Sequence, residues 1–166
     1  MRRARGFTYL ALLIFIAVMS FASVLTLEVA ETSAQRSAEA ELGGIGREFN
    51  RAFAAYYRLA PEGAVRFPSR LEDLLLDPRV PAKRRFLRRL YADPLSGRRE
   101  WGTIPAPGGG IMGVYSLAKG TPRRHLGHLM PGPYPSAFQA RGYAKWVFGY
   151  NPMAPATTQA SAPVQR

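Results

Sequence analysis

An uncharged run from Phe7 to Leu27, set directly behind Arg2, Arg3 and Arg5, constrains this chain more than any other feature. As a helix it spans roughly 32 Å, about the thickness of a bilayer's hydrocarbon core. It holds Leu10, Leu12, Leu13, Ile14, Phe15, Ile16, Val18, Phe21, Val24, Leu25 and Leu27. Each favours insertion by about 0.3–0.6 kcal/mol near a helix centre, and no charge opposes the sum. The run is expected to be a transmembrane helix over residues 7–27. Arg2, Arg3 and Arg5 orient it, staying cytoplasmic and sending the rest of the chain to the other side.

The same residues allow two other readings. In one, Arg2–Arg5 is the basic region of a secretory signal peptide, Phe7–Met19 its apolar region and Ser20-Phe21-Ala22 a small-x-small cleavage site. Against it, apolar character continues past Ala22 through Val24, Leu25 and Leu27. In the other, the helix is a plain uncleaved anchor.

Once an anchor is subtracted, 166 residues leave room for one modest domain. Glycine (16) and proline (14) make it rich in loops. The absence of cysteine excludes disulfides, thiolate catalysis and cysteine metal sites. A net charge of +12 fits an anionic partner or a solubilising surface.

Glu28–Ala60 reads as a helical continuation of the apolar run, giving roughly 80 Å of helix in all. Leu42, Ile45, Phe49, Phe53 and Tyr56 form one apolar stripe. Glu31, Glu39, Glu41, Glu48, Arg36, Arg47 and Arg51 suit solvated positions. Gly43, Gly44 and Gly46 mark a bend or a close helix–helix contact, and Pro61 and Gly63 end the helix. Ser69-Arg70-Leu71-Glu72 is a capping-box pattern opening a short helix through Leu76. Ala82–Tyr91 reads as a second short helix, with Phe86, Leu87, Leu90 and Tyr91 inward. Asp93-Pro94-Leu95-Ser96-Gly97 is a turn. Strands are expected at Trp101–Ile104 and Ile111–Leu117, joined by a Pro105–Gly110 loop, and at Tyr143–Tyr150. In the last, Ala144, Trp146, Phe148 and Tyr150 share a face. Residues 152–166, rich in Ala, Pro, Ser and Thr, read as a disordered tail.

No catalytic constellation emerges. His125 and His128 have i, i+3 spacing, but Gly127, Met130 and Pro131 oppose a helix there and no third ligand is close in sequence. Glu72 and Asp73 are adjacent and point apart on a helix. Gly108-Gly109-Gly110 lacks the Lys-Ser/Thr of a phosphate loop and fits a hairpin turn. No metal and no cofactor is implied. Lys83, Arg84, Arg85, Arg88 and Arg89 form a candidate anionic-partner patch. Its ligands would be anionic headgroups, an acidic partner or nucleic acid, and its alternative is a solvated helix face.

Gly6-Phe7-Thr8, between the arginines and the apolar run, resembles the prepilin peptidase site of type IV pilin-like proteins. The resemblance implies cleavage between Gly6 and Phe7 and N-methylation of Phe7, with the helix kept as anchor. Phe67-Pro68, then Leu90-Tyr91-Ala92-Asp93-Pro94 with Gly97 and Trp101, is similar to the post-helix loop and first turn of the major pseudopilin of type II secretion. Likeness covers about residues 2–120. It implies an α+β, pilin-like fold: a long N-terminal helix, transmembrane then amphipathic, packed on a small antiparallel sheet. It divides the chain into a leader (1–6), a transmembrane helix (7–27), a periplasmic domain (28–151) and the tail. It implies a single-pass protein of the bacterial inner membrane with a cytoplasmic N-terminus. The function implied is non-enzymatic: a subunit of a filament for protein secretion, or of a related type IV pilus. Its partners would be other pseudopilins or pilins, the prepilin peptidase and the inner-membrane assembly platform. The second functional class is a monomeric anchored or secreted periplasmic binding protein, with nucleic acid as a candidate ligand.

Two departures bear on role. The family's glutamate at the fifth mature position is here Ala11. A carboxylate in hydrocarbon is costly unless paired, so it can act as a docking element, and alanine removes it. The major pseudopilin's calcium-binding loop corresponds to Ala118–Arg124, which contains no acid.

Overall fold

The computed structural model describes residues 5–126, 129–130 and 141–154, and within its long helix the side chains at 8–20 and from 32 onward. Arg2, Arg3, His128 and the tail from 155 lie outside the described residues. The fold is α+β. One helix, α1 (Arg5–Arg58), precedes two 3-10 turns (Leu71–Leu74 and Gly142–Lys145) and three strands. These are β1 (Gly102–Pro105), β2 (Ile111–Tyr115) and β3 (Val147–Gly149).

The chain divides into two units, Met1–Ser37 and Ala38–Arg166. In the first, every described side chain from Thr8 to Ser20 is exposed. Among the described residues no helix is long and apolar enough to cross a membrane. Residues 8–20 supply roughly 20 Å of axis, against about 30 Å of hydrocarbon. The span expected over residues 7–27 continues into side chains outside the described set.

In the second unit, three- and four-residue spacing does what periodicity predicts. Leu42, Ile45, Phe49, Phe53 and Tyr56 are all buried, in one core with Leu74, Leu87, Trp101, Val114, Tyr143, Trp146 and Phe148. The sheet is antiparallel in the order β1-β2-β3. Gly102 pairs with Tyr115 and Ile104 with Gly113 across β1 and β2, with a bulge before Pro105. Val114 pairs with Phe148 across β2 and β3. Alternation along the strands sends Val114 and Phe148 into the core shared with α1. Ile104, Met112 and Val147 enter a second cluster with Phe67 and Met130. The β1–β2 connection turns on Gly108, Gly109 and Gly110, all at positive φ, where side chains are disfavoured.

The β3 edge is covered. Met130 N–H donates to the Val147 carbonyl (2.7 Å), and Gly149 N–H donates to Asn50 Oδ1 on α1 (2.6 Å). Gly46 faces the same strand, and a Cβ there would overlap the Phe148 ring. It marks a close helix–sheet contact, not the bend or helix–helix contact that the sequence suggested.

Several expectations need correction. No helix forms over Ala82–Tyr91. Its amides serve other elements: Phe86 and Leu87 N–H both donate to the Leu74 carbonyl (2.9 Å each), and the Arg84 carbonyl accepts from Asp77 N–H. The Ser69-x-x-Glu72 box is displaced by one residue. Asp73 is the capping acid, accepting from Ser69 N–H (2.9 Å) and Arg70 N–H (3.0 Å), and the turn is a 3-10 helix ending at Leu74. β1 begins at Gly102, one residue later than expected, and β2 ends at Tyr115, two earlier. The expected Tyr143–Tyr150 strand is a 3-10 turn followed by the short β3. Glu39, read as solvated, is fully buried.

Candidate functional site

The start of α1 carries the first set of sequence-identified residues. Arg5, Gly6 and Phe7 are helical backbone, and Thr8 is exposed. Tyr9, Leu10, Leu12, Leu13, Ile14, Phe15, Ile16, Val18 and Met19 are each 46–66% exposed. Such a density of exposed large apolar side chains marks a surface made for lipid or another protein. Ala11 lies among them and is exposed.

The other end of α1 is held by two arginines. Arg79 donates through Nε and Nη2 to the two oxygens of Asp77 (2.8 and 2.9 Å). It also donates to the carbonyls of Tyr56 (3.0 Å) and Val65 (3.1 Å), and its guanidinium lies 3.5 Å from the Tyr56 ring centroid. Arg84 donates to the Leu59 carbonyl (3.0 Å). The final carbonyls of a helix lack partners in the helix and carry its negative pole, so cations suit them. Hydrogen bonding from Arg79 holds the Asp77 carboxyl below its ordinary value of 3.8, against the opposing effect of burial. Burial raises the Tyr56 phenol above its ordinary value of 10.0, with Arg79 opposing. This clamp was not evident from the sequence.

Glu39 forms a second buried polar contact. Its Oε1 accepts from the Tyr143 hydroxyl (2.7 Å) and from Arg123 N–H (2.9 Å). The carboxylate therefore ties α1 to the segments before and beneath β3. Both partners are distant in sequence, so no local pattern signals the contact.

The candidate anionic-partner residues do not share a helix face. They lie on an irregular arm whose apolar side chains pack inward. Phe86 meets the Tyr56 ring edge-on at 5.3 Å, and Tyr91 meets Phe49 at 6.5 Å. Lys83, Arg85, Arg88 and Arg89 are exposed, while Arg84 is half-buried and spent on Leu59. The Asp93 turn folds this arm back against a second one. Asp93 N–H donates to the Arg98 carbonyl (2.7 Å), and Gly97, at φ 71°, closes the turn onto the Asp93 carbonyl. The buried Asp93 carboxylate accepts from Leu95 N–H (2.9 Å) and the Ser116 hydroxyl (2.7 Å). Trp101 Nε1 donates to the Tyr91 carbonyl (2.9 Å) and joins the arms. Arg98 and Arg99, on the second arm, are also exposed.

A cavity of about 290 Å³ lies between Tyr57, Phe67, Pro107, Met112 and Met153, and its lining contains Arg66 but no acid or histidine. His125 is exposed, and among the described residues no group of three His, Asp or Glu is placed to hold a metal. Comparison with protein-family models, curated proteins and solved structures finds no match for this chain.

Proposed function

We propose that this chain is a non-enzymatic, pseudopilin-type subunit, anchored by α1 in the bacterial inner membrane with its sheet domain in the periplasm. One observation carries the reading. A single helix presents exposed, uncharged and largely apolar side chains at residues 8–20, and from Leu42 to Tyr56 supplies the core beneath a small antiparallel sheet. Half of such a helix needs lipid or neighbouring helices around it, and the other half needs its own domain. The prepilin-like junction at Gly6-Phe7 supplies the route to this state, because removing Arg2, Arg3 and Arg5 leaves the apolar helix as the mature N-terminus. Assembly is the mechanism: anchor helices bundle laterally, sheet domains form the exterior, and extension of the filament moves secreted proteins.

The mature N-terminus tests the proposal. Mass spectrometry of protein from cells containing the peptidase should find N-methylated Phe7. A start at Ser23 would show signal-peptide cleavage and sink the filament reading. Replacing Gly6 with a bulky residue should leave the precursor uncleaved, and normal processing of that variant would count equally against it. The exposed arginines on the paired arms favour one second reading, an anchored or secreted protein that binds a polyanion as a monomer.

A further inference from the structure

The two arms bonded to each other across the Asp93 turn carry exposed cations and few exposed acids. Lys83, Arg85, Arg88, Arg89, Arg98 and Arg99 are exposed, against one exposed carboxylate on the same arms, Glu100. The ion pairs found among the described residues are Arg51–Glu48 and Arg79–Asp77, so none of these six cations is neutralised by a described acid. The acid nearest in sequence, Asp93, is buried and committed to Leu95 and Ser116. The arms are held from below by Phe86, Leu87, Tyr91 and Trp101, and across by the Trp101–Tyr91 and Asp93–Arg98 bonds. The backbone carrying the arginines is therefore ordered before any ligand arrives.

We propose that this surface binds the phosphodiester backbone of nucleic acid. Guanidinium groups fork onto phosphate oxygens, and several exposed on two bonded arms suit a ligand that carries many negative charges. Duplex DNA offers one negative charge per about 1.7 Å of axis. A second copy of this chain is a poor occupant, since each copy carries +12. The contacts available are to phosphates, so binding is insensitive to sequence and falls steeply with salt. The inference does not depend on filament assembly.

The test uses the full chain in neutral detergent micelles and a fluorescent 30-base-pair duplex, with anisotropy read from 50 to 200 mM salt. Replacing Arg88, Arg89, Arg98 and Arg99 by alanine should weaken binding at least tenfold at 100 mM. It should also flatten the slope of log affinity against log salt by about three to four. Replacing the same four by lysine should keep most of the slope, which separates lost charge from lost folding. Replacing exposed Lys119, Arg124, Arg141 and Lys145 by alanine removes equal charge elsewhere and should change affinity less than threefold. Equal losses from both alanine sets would overturn the proposal, as would no binding at 50 mM. Arm-dependent binding to vesicles of anionic phospholipid, with DNA binding indifferent to the arms, would overturn it in favour of lipid headgroups.

Discussion

Gly46 faces the Phe148 ring at the closest approach of α1 to the sheet, and there two effects compete. Alanine is the better helix former by about 1 kcal/mol. Yet its methyl would overlap a fully buried ring hemmed in by the core. Overpacking of this kind costs about 1–3 kcal/mol, so steric overlap should win. Gly46→Ala should lower the urea midpoint of the fragment starting at Glu31, and a raised midpoint would show that the ring has room to move. Arg79 is the second decisive residue, with a side chain only 9% exposed beside an Asp77 side chain at 0%. Arg79→Ala leaves a buried carboxylate without its cation and should cost about 3–5 kcal/mol. The sign of the pH effect follows from the lowered Asp77 value. Stability from this pair is fully present above the ordinary aspartate range and is lost as pH falls through the lower folded value. Below about pH 4 the parent should therefore lose stability faster than the Arg79→Ala variant. Parallel acid-unfolding curves would remove the clamp from the account.

At the scale of elements, Phe49 joins helix, arms and sheet. It is fully buried and meets Phe53, Tyr91 and Trp101 at ring separations of 6.4, 6.5 and 5.2 Å. Phe49→Ala should cost about 3–5 kcal/mol in the fragment starting at Glu31. An unfolding midpoint that barely moves would refute the packing of the α1 stripe on the arms and sheet. That stripe was legible in the sequence because burial on one helix face imposes a period that local spacing reveals. The β1–β2 hairpin was legible because its glycine-rich loop separates two apolar runs. Ala82–Tyr91 was not, although its apolar spacing suits a helix. A ten-residue helix is marginal alone, and this segment gains more by giving two amides to Leu74 and one carbonyl to Asp77. Glu39 was misread because its partners, Arg123 and Tyr143, are 84 and 104 residues away. The basic surface of the two arms was only half legible. The basic run is evident, but its neighbour across the turn depends on how Asp93 closes it.

At the scale of the whole molecule, the proposed filament role turns on Ala11. It lies in the exposed apolar stretch of α1, at the position where the proposed pilin-type reading expects glutamate. In such an assembly the carboxylate would meet the terminal amine of a neighbour, a pairing that hydrocarbon makes strongly selective. Ala11 offers no such partner, while on the proposed reading a methylated Phe7 amine would still require one. The chain therefore suits a place where only one of the two axial contacts is needed, such as a tip, within a filament built mainly by a glutamate-bearing subunit. Its net charge, +12 for the full chain and +9 without Arg2, Arg3 and Arg5, also opposes self-association. Expressed alone with the peptidase and assembly machinery, it should yield no sheared filaments. Abundant homopolymer would show that Ala11 does not limit assembly. Ala11→Glu supplies the missing group and should raise incorporation at interior positions, read as the amount of this chain in filaments of the mixed system. An unchanged or reduced yield would argue against charge pairing and leave lateral packing of the apolar helices as the determinant of place.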